Sequence, residues 1–294
     1  MIKVFSYNDC SPELIELQVD SFRKYLKDDF EFIMFTCEER ISTTPEKSRE
    51  VVAICNALGI RVIEVPRDPD IEANWYYGGH VWEDLFLPNG RLISGAGGVT
   101  FGYMQQWSWQ RVICQEKGNI CVVHSDIFLI EPINFTNHLR DYELCAVKNT
   151  WQKGITGFWE PLLLADMSKM PDPETIVWWP STVEGQWTDS GGRTYYYLKA
   201  HPNLKWLEIG QDGCYDDDAL NFHPARYAYF LLGDKKILHY QSASGWATDR
   251  QDYLGFSKEQ SAEYHARKRA WTRGLVDGSI KPDRSHWRWQ GVNY

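Results

Sequence analysis

Four short segments of this chain carry residue types at spacings that can do chemistry. In "ICVVHSDIFLI" (120–130) an apolar run ends in His124-Ser125-Asp126. Residues two apart on an extended segment point the same way, so His124 and Asp126 can face one ion. "YDDDALNF" (215–222) sets Asp216, Asp217 and Asp218 side by side ahead of Asn221. Crowded carboxylates repel, which raises one pKa toward the working range of a general base. "LHYQSASGW" (238–246) offers His239 as a distant metal ligand, followed by the small donors Ser242, Ser244 and Gly245 and by Trp246. "WTDSGGRTYYYL" (187–198) places Asp189 before Ser190, Gly191 and Gly192, a pattern that also suits the start of a helix after a loop.

The elements that must position these groups follow from periodicity. Apolar runs at 2–7, 30–37, 61–65, 120–130 and 142–148 predict strands. Ser11-Pro12 and Thr44-Pro45 open predicted helices, the first carrying Ile15, Val19, Phe22 and Leu26 on one face, the second ending at Gly59. Residues 100–119 predict another helix. Alternating strands and helices predict a parallel α/β sheet with helices on both faces, which puts the carboxyl end of "ICVV" where open sheets bind ligands. After residue 150 the pattern loosens, with a helix expected over 191–200, strands at 204–209 and 235–240, and a helical tail from 257. The expected division is 1–150, 151–256 and a tail, 257–294.

Composition narrows the classes. With 294 residues and 43% hydrophobic content the chain can bury a sizeable core. A net charge of −9 argues against wrapping nucleic acid, although residues 263–294 carry seven Lys/Arg against three Asp/Glu. Within it "HARKRAWTR" (265–273) reads first as a solvated amphipathic helix, the alternative being a basic flap over a diphosphate or anionic acceptor, and the basic tail could also serve peripheral membrane association. Seven cysteines without a CxxC spacing read as buried, reduced thiols. No apolar run approaches membrane-spanning length, and "MIKVFSYNDC" reads as a strand and not as a secretion signal. The expected location is cytoplasmic, the host's cytoplasm if the source is viral. Fourteen Trp and sixteen Tyr suggest sugar or base stacking, with core packing at even odds.

Two enzyme classes read His-x-Asp. With His239 and Arg250 it is similar to the Fe(II)/2-oxoglutarate oxygenases, where a His-x-Asp…His triad holds iron and an Arg grips the cosubstrate carboxylate. Those enzymes are jelly rolls, which the strand–helix alternation opposes. The second resemblance rests on four segments in order: "HSD", "DSGG", "DDDALN" and "LHYQSASGW". Together they resemble the glycogenin-like and galactosyltransferase-like glycosyltransferases of the GT-A fold, with His124 in place of the first Asp of Asp-x-Asp.

That resemblance implies a Rossmann-like, mixed and mainly parallel sheet flanked by helices, with an irregular acceptor-side region. It implies Mn²⁺ or Mg²⁺ on Asp126, His239 and His124, bridging a nucleotide-sugar diphosphate, with a UDP-sugar favoured as donor and a glycan or other hydroxyl as acceptor. Ser6, Tyr7, Asn8 and Ser125 would hold the nucleotide. Gly191, Gly192, Asp218, Asn221, Ser242, Ser244, Gly245 and Trp246 would line the donor. Asp217, Asp189 or Asp216 would be the working carboxylate. Metal-free transfer would instead draw on Lys235, Lys236 and Arg250. A non-catalytic sugar-binding protein is the third alternative.

Overall fold

The computed structural model describes residues 1–8, 11–37, 45–73, 76–77, 80–81, 97–151, 154–212, 224, 228–232, 235–240 and 256–281. The chain divides into two compact units that interleave in sequence. The first is Met1–Pro12, Phe30–His124 and Thr136–Glu208; the second is Glu13–Asp29, Ser125–Phe135 and Ile209–Tyr294.

The first unit is built on a seven-stranded sheet. Its strands are β1 (Ile2–Tyr7), β2 (Phe30–Thr36), β3 (Arg61–Glu64), β6 (Asn119–His124), β8 (Leu144–Thr150), β9 (Thr156–Asp166) and β12 (Trp206–Ile209), in the order β12-β8-β9-β6-β1-β2-β3. Short pairs complete the unit: β4 (Tyr76–Tyr77) with β5 (His80–Val81), and β10 (Ser181–Val183) with β11 (Gln186–Thr188). β1 runs parallel to β2 and β6, and β2 parallel to β3. β9 is antiparallel to both β6 and β8. The expected mixed, mainly parallel sheet is what the chain forms. The register Tyr7↔His124 and Tyr7↔Phe35 puts the carboxyl ends of three strands at one edge.

Helices cover this sheet because their apolar stripes match it. α2 (Pro45–Ala57) packs on β2 and β3, with Val51 and Cys55 buried, and stops at Gly59 in the left-handed region (φ +69°), as expected. The short α3 (Pro69–Ala73) follows β3. α4 (Gly97–Arg111) packs on β2, a single turn, α5 (Phe135–His138), precedes β8, and α6 (Thr194–Ala200) packs on β9. Trp109, Trp178 and Trp179 are core residues here, so part of the aromatic excess is packing.

The second unit carries β7 (Ile127–Leu129), β13 (Gln211–Asp212), β14 (Tyr229–Leu231) and β15 (Ile237–His239) in the antiparallel order β13-β14-β15-β7. α1 (Ile15–Tyr25) packs on β7, and α7 (Lys258–Asp277) on α1. Ser257 opens α7 with a full capping box to Gln260. Lys24 and Tyr25 of α1 donate to the Val276 carbonyl at the other end of α7, at 3.0 and 2.9 Å.

Several expectations are corrected. Ser11-Pro12 leads into a 3₁₀ turn (Pro12–Leu14), and α1 begins at Ile15 with no side-chain cap. The helix expected over 100–119 runs from Gly97 to Arg111 and gives way to a 3₁₀ turn at Ile113–Gln115. The loosened region after 150 contains β9, an eleven-residue strand in the middle of the sheet. Pro161 hid it, because proline cannot donate to a ladder. The β8–β9 register slips between Ala146 and Val147, opposite Glu160, Pro161 and Leu162, and this irregularity accommodates the proline. Residues 265–273 form the amphipathic helix expected there, with Arg267 and Arg273 exposed on one face and His265, Lys268 and Thr272 buried on the other; the Lys268 ammonium lies 4.5 Å from the Tyr240 ring centre and 5.7 Å from that of Tyr264. The mixed α/β architecture is also not the jelly roll an oxygenase would need.

If β9 is core, Leu163→Ala should cost about 3 kcal/mol, read as a lowered urea midpoint at unchanged slope.

Candidate active site

The carboxyl edge of the parallel strands is built from Tyr7 and His124. Tyr7 stacks on Phe35 at 5.4 Å, and its hydroxyl meets Ser108 of α4 at 2.7 Å. Burial pushes the Tyr7 phenol well up, partly opposed by the Ser108 hydrogen bond and reinforced by the charge of Glu160. His124 lies edge-on to Phe101 at 4.5 Å. Asn8 spends its side chain on its own loop: Nδ2 donates to the Ser11 carbonyl at 2.8 Å, and Oδ1 accepts from Ser11 N–H at 3.0 Å. Ser6, Tyr7 and Asn8, expected to hold a nucleotide, are all buried.

The second unit brings Asp126 and His239 together. β15 pairs with β7 through His239↔Ile127, and Tyr240 N–H donates to the Asp126 carbonyl at 2.8 Å. His239 Nε2 then lies 3.5 Å from Asp126 Oδ1, with both residues buried. Two ligand atoms on one cation at ~2.1 Å bonds and a right angle stand ~3 Å apart, so the pair fits two adjacent positions of an oxygen- and nitrogen-bound cation. Among the described residues no three His, Cys, Asp or Glu side chains form a ligand cluster. Nearby, burial, then Lys268 and Arg269, hold the His265 imidazole down to about 4.

A polar knot of the first unit lies on β9, where the sequence offered no motif. Glu160 is only 2% exposed. Ser190 Oγ donates to its Oε1, and Ser190 N–H donates to Asp189 Oδ1 at 2.8 Å. Asp189 itself is exposed. Burial first, then the charge of Asp189, push the Glu160 carboxyl up to about 8, with the Ser190 hydrogen bond opposing.

The turn that carries these residues is fastened on all sides. Gly191 N–H donates to the Trp178 carbonyl at 2.8 Å, Thr194 Oγ1 donates to the Gly191 carbonyl at 2.6 Å, and Phe158 N–H donates to Thr194 Oγ1 at 2.7 Å. Gly191 sits at φ +82°, and a Cβ there would lie 2.0 Å from the Phe158 carbonyl oxygen. A Cβ at Gly192 would lie 2.0 Å from Thr188 Oγ1. The two glycines expected as sugar contacts therefore have a packing role of their own.

Of the other predicted residues, Ser125 lies in the turn before β7. Lys235 and Lys236 lead into β15, Lys235 at φ +56°. Asp216, Asp217, Asp218, Asn221, Ser242, Ser244, Gly245, Trp246 and Arg250 lie outside the described residues. Glu160 was missed; the available signal was a lone carboxylate inside the apolar "GFWEPLLLA".

The fold and site thus define a mixed α/β protein with a buried, proton-holding carboxyl in one unit and a buried Asp–His pair in the other. No family model matches the chain, and no curated protein matches it. Solved structures do. A galactosyltransferase, LgtC, in complex with donor and acceptor sugar analogues is 15% identical over 57% of this chain and 59% of its own, with a TM-score of 0.35. The apo form of the glycosyltransferase GlyE from Streptococcus pneumoniae TIGR4 is 13% identical over 94% of this chain and 64% of its own, with a TM-score of 0.40. The bifunctional glycosyltransferase WbbM is 9% identical over 56% of this chain and 31% of its own, with a TM-score of 0.33. The chain spans less than two thirds of the length of each of these three.

Two outcomes follow from the Glu160 knot. Its folded-state pKa is raised above the unfolded value, so the folded protein binds that proton more tightly. Stability from this group is full below about pH 4.5 and falls as pH rises toward 8, with a slope of about 1.4 kcal/mol per pH unit. Glu160→Gln should therefore unfold at a higher temperature than the parent at pH 8, with the gap closing toward pH 5. Gly191→Ala should lower stability by more than the roughly 1 kcal/mol of an ordinary strained Gly→Ala change, because backbone blocks the new methyl; thermal unfolding reads it.

Proposed function

We propose that this chain is a glycosyltransferase that moves a sugar from a nucleotide diphosphate donor to an acceptor hydroxyl. The observation that carries the reading is the Asp126–His239 pair. The resemblance implied that these two residues, from separate motifs, serve one ion, and they stand 3.5 Å apart. A bound Mn²⁺ or Mg²⁺ supplies neutralisation of the departing diphosphate. Asp126 and His239 would hold it; among the described residues His124 does not join them in a three-ligand group.

In the transfer, the bond from the anomeric carbon to the diphosphate oxygen breaks and a bond to the acceptor oxygen forms, while the acceptor proton leaves. Asp189 is the proposed carboxylate at the acceptor. In an inverting reaction it takes that proton; in a retaining one it orients the hydroxyl and stabilises positive charge on the sugar, while the proton passes to the departing diphosphate oxygen. Its exposure on a turn held rigid from beneath supports this role. A UDP-sugar is the favoured donor, and a glycan the favoured acceptor class.

UDP-, GDP- and dTDP-sugars, each with Mn²⁺, should be compared with 2-oxoglutarate plus Fe(II) by thermal unfolding. One nucleotide sugar should raise the unfolding temperature by several degrees, and Asp126→Asn or His239→Ala should remove the Mn²⁺-dependent part of the rise. No shift with any nucleotide sugar sinks the reading.

A further inference from the structure

We propose that Glu160 is a positioning residue: reaching up from β9, its carboxyl holds Ser190 and through Ser190 sets the direction of the Asp189 carboxylate. The inference rests on the reading of Asp189 as the acceptor-side group. The link is a short chain of bonds. Glu160 Oε1 accepts from Ser190 Oγ, and the same serine's N–H donates to Asp189 Oδ1 at 2.8 Å. Ser190 is thus gripped by its side chain from below and grips Asp189 with its backbone above.

β9 contributes a second hold. Phe158 lies two residues before Glu160 on the same strand. Its N–H donates to Thr194 Oγ1, which itself donates to the Gly191 carbonyl. The turn also closes on itself, Gly192 N–H donating to the Asp189 carbonyl at 3.0 Å. Backbone bonds therefore fix Gly191 and Gly192, and Glu160 is the side chain that fixes Ser190.

A carboxyl is a costly choice for that task. Glu160 Oε2 is buried and has no hydrogen-bond partner among the described residues, and a Cβ at Gly191 would lie 3.2 Å from it. A serine hydroxyl needs only one acceptor, which glutamine would supply. The carboxyl differs in that it can change charge. The groups acting on it are Asp189 and Ser190 from the turn and Tyr7 from β1, whose phenol senses its charge. Protonated, Glu160 holds Ser190 with no charge facing Asp189. Ionised, it sets a second negative charge against Asp189, and the turn is pushed off its seat. The orientation of Asp189 is in this way coupled to one buried proton.

The test uses the full chain with Glu160→Gln and Ser190→Ala, the latter removing only a hydroxyl. Backbone hydrogen exchange across 188–194, corrected for intrinsic rates, is measured near pH 7 and near pH 9. Ser190→Ala should speed exchange in this segment about tenfold at both values, the equivalent of losing one buried hydrogen bond. The parent should loosen at the higher pH, and Glu160→Gln should stay slow at both. In sugar transfer, Ser190→Ala should lower kcat about tenfold at a donor KM changed less than about twofold, and Glu160→Gln, which keeps the acceptor for Ser190, should keep kcat near the parent's at pH 7 while moving the alkaline limb upward.

Parent-like exchange in Ser190→Ala overturns the proposal, as does a loosened turn with unchanged kcat. If no sugar transfer is found, the transferase reading falls, and the exchange data alone decide whether Glu160 holds the turn.

Discussion

The turn Asp189–Gly192 is pressed so closely onto β9 and the end of β11 that a side chain at Gly191 would collide with the Phe158 carbonyl and one at Gly192 with Thr188. The rest of the first unit's polar site depends on this contact. It lets the Trp178 carbonyl reach Gly191 N–H, starts α6 through Thr194, and encloses the Glu160 carboxyl. Backbone approach of this kind is possible only with glycine. What results is a buried acid with an exposed acid above it, joined through one serine. Burial keeps the lower proton on up to about pH 8, and it is the larger cause; the upper charge adds to it.

The second unit solves a different problem with a different device. Asp126 and His239 come from a strand's start and a strand's end, and a single antiparallel pairing, β7 with β15, sets them side by side. Around them α1, α7 and β15 bury Phe128, Leu238, Tyr240 and Leu275. Lys268 rests between two tyrosine rings and not in water, and His265 is held neutral by burial and by its cationic neighbours. The described part of the basic tail, α7, is a structural part of this unit.

Much of the framework was legible in advance. β1, β2, β3 and β6 are apolar runs flanked by helix-start signals, and periodicity finds such elements well. β9 was not legible because Pro161 breaks the pattern of a central strand, and only the register slip opposite it explains how a proline fits there. Ser11 looked like a helix cap, but a 3₁₀ turn separates it from α1, and its N–H and carbonyl close Asn8's loop. Asp126 and His239 were chosen from their motifs, and their proximity had to come from the pairing of two strands far apart in the chain. Glu160 had no motif to betray it.

The sequence by itself determined the α/β class, the strand that ends at His124, and the candidates Asp126, His239 and Asp189, because these follow from local pattern and residue chemistry. The tertiary structure decided which of them meet and which carboxyl keeps its proton. Both depend on burial and on distance across the chain, and neither quantity is a property of neighbouring residues in a sequence.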